Sequence, residues 1–405
     1  MLPPVAERQQ HAFDPDVCDL CACREWRSIG RIGTGRALRS DRTILPEDLE
    51  KRVCLGCGLG RRGTTVDPEA LERLYEEDYR GGAPRAHVFY TTAGPVPRSD
   101  AFADWFLAAA GDAFEGARRG LECGAGTGEL VAALARRCPH VALEAFEPRR
   151  DRADRAPASG ARAARDVAAC EDGAYDVVWA VAVLEHVAAP ARFLRGLRRL
   201  LRPGGHLILA QPTQDVKSTD IAFVDHLFHF GTAHLRHYAR ACGFREIRCA
   251  VGHPLMPTYS LHLWRRVAVD PVTTRGWVGP PAATCVDRSA RELSSDLKLL
   301  DGQLDACRTA NRRAAAFGLG ETFWIARCYS HRLDAALVCG AVDEPERDEY
   351  ASLGFPIVTP ERLPAFGVDV VFLTMSPQYH DRAASRIAAL GLTPVSVLPS
   401  FGGPS

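Results

Sequence analysis

Short apolar runs alternate with helix-length amphipathic stretches over roughly residues 100–265 of this 405-residue chain. Four of the runs are typical of successive strands: GLECGAG, VALEAFEP, YDVVWAVAVL and GGHLILAQP. Because a helix-length segment separates each run from the next, the pattern indicates βα units whose strands join one parallel sheet. The middle of the chain is therefore predicted to be an α/β domain.

The same alternation returns near the C-terminus, after a stretch rich in Pro, Gly and Thr at residues 270–290. The runs here are AAAFGLG, AALVCGAVDE, PIVTP, DVVFLTMS and TPVSVLP. They predict a second, smaller Rossmann-like α/β domain.

Residues near the N-terminus are rich in Cys, Arg and Gly and show little periodicity. This composition is typical of a small module that a bound metal ion stabilises. The predicted organisation has four parts: a zinc-binding module at 1–75, a Rossmann-like domain at 76–268, a linker and helix at 269–303, and the C-terminal Rossmann-like domain at 304–405.

Charge and composition narrow the function. Lys and Arg total 50, as do Asp and Glu, so no global basic field suggests general nucleic-acid binding, and a small-molecule substrate is favoured. The N-terminus MLPPVAERQQ lacks a signal-peptide core, and no run approaches about 18 apolar residues, so we expect a soluble, cytoplasmic protein without a membrane anchor. The 14 cysteines are then expected to be free thiols or metal ligands.

Two CxxC pairs lie in the N-terminal module. Cys18 and Cys21 form CDLC, and Cys54 and Cys57 form CLGC. Each spacing lets a tight turn direct two thiolates at one tetrahedral ion, so the pairs predict a structural Zn²⁺ site. Cys23 could replace Cys21, and chance pairing in a cysteine-rich chain is the alternative.

A glycine loop follows the first strand of the central domain. Gly124, Gly126 and Gly128 let the backbone turn sharply beside the N-terminus of a helix, and Glu122 precedes them. Glu147 ends the next strand, at the distance expected for an acid that binds two ribose hydroxyls. Together these features predict a nucleotide-type cofactor site.

The segment ECGAGTGE resembles motif I of the class I methyltransferases that use S-adenosylmethionine (SAM), and AVAVLEHVAAPARFLRGLRRLLRPGGHLILAQP resembles later motifs of that family. The resemblance implies SAM as cofactor, with Asp166 near the adenine amino group and Ala180 bordering the site. Glu185 and His186 border it too, although capping and packing explain that pair equally well. A dinucleotide site for hydride transfer is the alternative for the loop.

The order of the parts resembles the sugar C-methyltransferases that act on nucleotide-linked 4-keto deoxysugars, which implies such a sugar as substrate and a place in antibiotic deoxysugar biosynthesis. That family has a Glu-His pair where AFVDHLFHF offers Asp225 and His226. His226 would remove the proton next to the ketone, with Asp225 orienting it or handling a hydroxyl proton. His229 could serve instead; Tyr90 matches the family's essential tyrosine, with Tyr79 as competitor.

The C-terminal run carries a second fingerprint in Gly318, Gly320 and Asp343. The resemblance implies that this domain holds the nucleotide portion of the substrate, while a packing role is the alternative. Three other functions stay open: O- or N-methylation, NAD binding at the second fingerprint, and a non-catalytic zinc-knuckle scaffold that binds a partner or RNA. The oligomeric state is not predicted.

Overall fold

The computed structural model describes residues 16–32, 34–64, 66–79, 88–91, 94–149, 162–163, 170–268, 277, 280–345 and 348–402. The chain divides into two compact units, each built from three segments. The first unit contains Met1–Arg27, Val53–Asp215 and Leu227–Thr284. The second unit contains Ser28–Arg52, Val216–His226 and Cys285–Ser405.

The strands in chain order are β1 (Trp26–Ile32), β2 (Ala37–Leu38), β3 (Ile44–Leu45), β4 (Leu49–Cys54), β5 (Gly60–Arg62), β6 (Val88–Thr91), β7 (Gly94–Pro97), β8 (Arg119–Cys123), β9 (Ala142–Phe146), β10 (Arg162–Ala163), β11 (Tyr175–Val181), β12 (Leu201–Pro212), β13 (Phe228–His229), β14 (Phe244–Val251), β15 (Tyr259–Arg266), β16 (Ala314–Phe317), β17 (Leu337–Ala341), β18 (Ile357–Val358), β19 (Val370–Leu373) and β20 (Thr393–Ser396).

The α-helices are α1 (Pro68–Arg73), α2 (Arg98–Glu115), α3 (Glu129–Arg137), α4 (Pro190–Leu200), α5 (Thr232–Ala241), α6 (Val286–Thr309), α7 (Glu321–Tyr329), α8 (Leu333–Ala336) and α9 (His380–Ala389). A π-helical turn at Leu74–Asp78 continues α1, and 3₁₀ turns include Leu184–His186 and Thr219–Ala222. No described helix combines the length and the apolar content that crossing a bilayer requires.

The first unit contains a seven-stranded sheet in the order β10-β9-β8-β11-β12-β15-β14. The first five strands are parallel, of which the alternating pattern predicts all but β10, whereas β15 runs antiparallel to both β12 and β14. The reason is the link between β14 and β15, since residues 252–258 are too few for the crossover that parallel neighbours need. The sheet is thus mixed rather than wholly parallel.

Strand β11 shows why the sheet is covered on both faces. Val177 and Trp179 pack with apolar residues of α2 and α3, while Val178 and Ala180 pack with those of α4 and α5. Successive strand residues point to opposite faces, so a continuous apolar run fits only a strand buried on both sides. The α/β fold class and the Rossmann-like sheet are confirmed.

The second unit contains a parallel sheet in the order β18-β17-β16-β19-β20. In chain order this is the 3-2-1-4-5 arrangement of a doubly wound fold, and the first five strands of the other sheet repeat it. Its core also takes in Leu38 and Phe223 from the two shorter segments. Tyr329 links all three segments, because its hydroxyl donates to the Ala222 carbonyl (2.5 Å) and accepts the Leu38 N–H (3.1 Å).

Candidate active site

The glycine loop of the first unit lies between β8 and α3. Gly124 has φ +81°, and a Cβ added there would lie 2.6 Å from Val183 Cγ2, so only glycine fits. Gly126 also has positive φ, but a Cβ added to it would meet nothing within 4 Å. The loop is therefore tightly packed at its first glycine and open at its second, where a ligand can approach the backbone closely.

Glu147 lies beside this loop because β9 is the sheet neighbour of β8. Its Oε2 accepts the N–H of Gly126 at 2.7 Å, and its Oε1 accepts the N–H of Arg149 at 3.3 Å. These two bonds orient the carboxylate beside the loop. The predicted ribose acid is thus held at the predicted loop.

Glu122, the acid before the loop, is buried in β8, with only 3% of its surface exposed. Its Oε2 has no hydrogen-bond partner among the described residues. Burial, which disfavours the charged form, raises the pKa of this carboxyl to about 8. Burial thus favours the neutral form of the Glu122 carboxyl.

Ala180 and Asp166 are the remaining residues predicted to contact the cofactor. Ala180 is buried near the carboxyl end of β11, which neighbours β8. Asp166 lies outside the described residues.

An aromatic cluster adjoins the turn after β11. His186 Nδ1 lies 2.9 Å from the Tyr75 hydroxyl, and its ring contacts Tyr75 and Tyr79 edge-on, with centroids 5.7 and 6.0 Å away. Arg149 Nη1 donates to the Tyr79 carbonyl at 2.7 Å, which ties the cluster to the segment after Glu147. Sequence reasoning named Tyr79 and missed Tyr75, although their i,i+4 spacing on a helical turn was an available signal.

Tyr90, the preferred tyrosine of the sequence analysis, lies in β6, and its side chain is outside the described part of the structure. The choice between Tyr90 and Tyr79 therefore stays a prediction.

His226 belongs to the second unit and is 6% exposed. Its Nδ1 contacts the Asp220 carboxylate, and its ring centroid lies 5.0 Å from that of Phe223. A carboxylate at Nδ1 keeps the proton on that nitrogen, so proton exchange with a substrate would take place at Nε2. Lys51 fixes the backbone here, since its Nζ donates to the carbonyls of His226 and Phe223 at 2.8 and 2.6 Å.

Asp225 was predicted to orient His226 or to handle a hydroxyl proton, and its carboxylate is hydrogen-bonded to Ser40. Its carboxylate accepts the N–H and the hydroxyl of Ser40, both at 2.8 Å, and Asp220 contacts His226 instead. The 3₁₀ turn at Thr219–Ala222 places Asp220 there, which sequence spacing alone did not indicate. His229, the other candidate base, is buried in β13, where it pairs with Gly60 of β5.

The four cysteines of the two CxxC pairs converge. The Sγ atoms of Cys18 and Cys57 lie 3.6 Å apart, those of Cys21 and Cys54 lie 3.4 Å apart, and all four lie within 4.8 Å of one another. Four thiolates around a tetrahedral Zn²⁺, each about 2.3 Å from the ion, would be about 3.8 Å apart. These distances group Cys21 with the other three cysteines, while Cys23 Sγ accepts the Glu25 N–H at 3.3 Å.

The second fingerprint is folded as a strand, a loop and a helix. Gly318 has φ +88°, and Gly320 precedes α7. Asp343 follows β17, and its Oδ1 accepts Nη1 of Arg386 at 2.5 Å. Arg386 also pairs with Glu361 at 2.5 Å.

Comparison with known proteins supports the cofactor site predicted at the glycine loop of the first unit. Residues 97–264 match a family model described as a methyltransferase domain. These residues span the seven-stranded sheet, the glycine loop and Glu147. This part of the chain is a class I SAM-dependent methyltransferase domain.

Its relatives include ubiquinone biosynthesis O-methyltransferases. The protein from Burkholderia thailandensis is 32% identical over 115 residues, which are 24% of this chain and 50% of the relative. The one from Roseobacter denitrificans is 30% identical over 126 residues, 31% of this chain and 46% of the relative. The chain spans about half the length of these curated relatives.

Among solved structures, a putative sarcosine dimethylglycine methyltransferase from Galdieria sulphuraria is 17% identical. The match covers 42% of this chain and 86% of that one, with a TM-score of 0.35.

Proposed function

We propose that this protein transfers the methyl group of SAM to a carbon of a nucleotide-linked 4-keto deoxysugar. When bound, SAM supplies an electrophilic methyl group on a sulfonium. The residues that would hold it are those at the carboxyl ends of β8, β9 and β11: the loop glycines 124, 126 and 128, with Glu122, Glu147 and Ala180. Asp166 would contact the adenine.

The carbon acceptor is supported by one observation, the buried pair of Asp220 and His226. Methylation at carbon requires a carbon nucleophile, which a 4-keto sugar provides once the proton next to the ketone is removed. His226 Nε2 takes that proton, and Asp220 stabilises the imidazolium that forms. The enolate carbon would be the nucleophile for the methyl group that bound SAM supplies, and S-adenosylhomocysteine would be the leaving product.

Other residues would take supporting roles. Tyr90 or Tyr79, with Tyr75 and His186, would border the acceptor. Asp225 holds the segment around Ser40 rather than His226, so we assign it a positioning role. The cluster of Cys18, Cys21, Cys54 and Cys57 has the donor set of a closed structural zinc site, with no open position for catalysis.

The test is mass spectrometry of products formed from labelled SAM and a panel of nucleotide-linked 4-keto sugars. We expect methyl on a sugar carbon with the wild type and a 10²- to 10⁴-fold lower rate, roughly, with His226→Ala. Asp220→Asn should lower the rate while leaving the affinity for SAM unchanged. His331→Ala, which alters an exposed histidine of the same unit, is the matched control.

Proton exchange separates the base from the rest of the reaction. In deuterated water without SAM, the wild type should exchange the proton next to the ketone and His226→Ala should not. Exchange that is equally fast in both proteins would contradict the role of His226.

O-methylation of a sugar or another natural-product intermediate is the second candidate, favoured by the O-methyltransferases among the relatives. Label on oxygen, with no proton exchange next to a ketone, would establish it. SAM binding without transfer to any sugar would remove the sugar assignment and keep the methyltransferase domain.

A further inference from the structure

Strand β14 contains a bulge that changes which side chains face β15. Glu246 pairs with Trp264, but Arg248 pairs with Leu263 and Cys249 with His262, so Ile247 is the extra residue. If the register continued from Glu246 without the bulge, Arg248 would lie opposite His262. A bulge of this kind re-aims side chains and often accompanies a site. Here it places a thiol opposite an imidazole.

The bulge brings together three side chains with metal-binding atoms: Glu246, Cys249 and His262. One such atom from each lies within 4.8 Å of those of the other two. His262 Nδ1 lies 3.1 Å from Glu246 Oε2, and His262 Nε2 lies 4.0 Å from Cys249 Sγ. The imidazole thus has a carboxylate at one nitrogen and a thiol at the other.

These distances are close to those of a metal site. Bond lengths of about 2.3 Å to sulfur and 2.0 Å to nitrogen at a tetrahedral ion separate the two ligand atoms by about 3.5 Å. A movement of about 0.5 Å in the cysteine side chain closes the difference. The carboxylate at Nδ1 matches the outer-shell group that commonly orients a metal-binding histidine.

The surroundings hold the cluster in place and leave it accessible. His262 is fully buried, which fixes its ring, whereas Glu246 and Cys249 are half-buried, so ions and water can reach them. Arg236 Nε on α5 donates to Glu246 Oε1 at 2.7 Å and orients the carboxylate. The Ser260 hydroxyl is hydrogen-bonded to His262 Nε2 at 3.2 Å, so an ion bound to this nitrogen would replace that hydrogen bond.

We propose that Cys249 Sγ and His262 Nε2 bind a divalent ion of the zinc class, with Glu246 as the positioning residue behind His262. Thiolate and imidazole are the donors that such ions prefer. The ion would link β14, the last strand in the sheet order, to β15. This site is independent of the four-cysteine cluster and of the proposed reaction.

The experiment titrates the purified full chain with Co²⁺, whose bond to a thiolate gives a charge-transfer absorption. Wild type should bind one more ion than Cys249→Ser, with a correspondingly stronger absorption. Cys170→Ser is the matched control, since Cys170 is another half-buried thiol of the same unit and lies outside both cysteine-containing clusters. Any cobalt in the four-cysteine cluster is common to all three proteins and cancels.

Glu246→Gln supplies a second measurement that keeps the ligands and changes only the group behind the imidazole. Its affinity for the additional Co²⁺ should fall about 10- to 100-fold. Equal cobalt binding and absorption by wild type, Cys249→Ser and Cys170→Ser would overturn the proposal and define the cluster as a closed hydrogen-bond network. If Cys249→Ser does not fold, an unchanged affinity for Co²⁺ in Glu246→Gln would overturn the proposal in its place.

Discussion

Two glycine loops in this chain each follow the first strand of a 3-2-1-4-5 arrangement of parallel strands, and their first hydrogen bonds are alike. Gly124 donates its N–H to the Phe146 carbonyl at 2.8 Å, and Gly318 donates to the Ala341 carbonyl at 2.9 Å. Each loop leads into a nine-residue helix. From sequence and backbone alone, the two loops would be assigned the same task.

Their acids differ. Glu147 turns to its loop and accepts the Gly126 N–H, whereas Asp343 and Glu361 share Arg386. Glu122, two residues before the first loop glycine, has Ala316 as its counterpart in the second loop. The two loops therefore share a backbone arrangement and differ in where the acid after the neighbouring strand is directed: at the loop in the first unit and at Arg386 in the second.

The largest effect should come from Gly318→Ala. Its φ of +88° disfavours any side chain, and the added Cβ would lie 2.6 Å from Met375 Cβ and 2.8 Å from its backbone nitrogen. We expect the free energy of unfolding of the second unit to fall by about 2 to 5 kcal/mol. Hydrogen exchange of peptides that cover residues 314–317 and 337–341 measures this loss of stability.

Gly320→Ala is the control for that prediction, because φ is −83° and a Cβ there meets nothing within 4 Å. If both variants lower exchange protection equally, tight packing at Met375 is not what requires glycine at 318.

Glu147→Ala should weaken SAM binding by about 10- to 100-fold, because two charge-assisted hydrogen bonds to hydroxyls are lost. Asp343→Ala removes the corresponding acid of the second loop and should leave the affinity unchanged. Isothermal titration calorimetry with SAM compares them. A similar loss in both variants would mean that the two loops act alike.

Glu122→Gln should change how stability depends on pH. The folded-state pKa is about 8 against an ordinary value of 4.5, so between those pH values the folded chain holds a proton that the unfolded chain releases. Wild-type stability therefore falls as pH rises through this window, relative to the variant, by up to about 1.4 kcal/mol per pH unit.

Urea unfolding of both proteins at pH 5.5 and 7.5 measures the difference. Glu171→Gln, which alters an exposed acid of the same unit, should follow the wild type. If the difference in unfolding free energy between wild type and Glu122→Gln is the same at both pH values, Glu122 is ionised in the folded chain.

Patterns that repeat along the chain made much of the fold predictable. The apolar runs located all the parallel strands of the second sheet and those of the first except β10, and the CxxC spacings located four cysteines that converge in space. The loop glycines and Glu147 were found because their spacing follows from the βα unit itself. The named runs did not include β14 and β15, where a short connection reverses the chain and makes the sheet mixed.

Contacts made by single side chains could not be read from the sequence. Asp220 reaches His226 through an irregular turn, and Tyr75 reaches His186 from a segment more than 100 residues earlier. The β14 bulge depends on one extra residue, Ile247, which hydrophobic alternation does not mark. The four-part division predicted from the sequence stays a prediction, and the structure divides the chain into two units of three segments each.

Tyr329 has a consequence for the timing of synthesis. Leu38 leaves the ribosome early, but the hydroxyl that accepts its N–H arrives only when residue 329 has been made. At the usual 5 to 20 residues per second, that wait is roughly 15 to 60 s. During this interval the segment around Leu38 has no completed core to pack against, and chaperones have the most time to bind it. A nascent chain that stops before α7 would lack the Tyr329 hydroxyl that hydrogen-bonds to both Leu38 and Ala222.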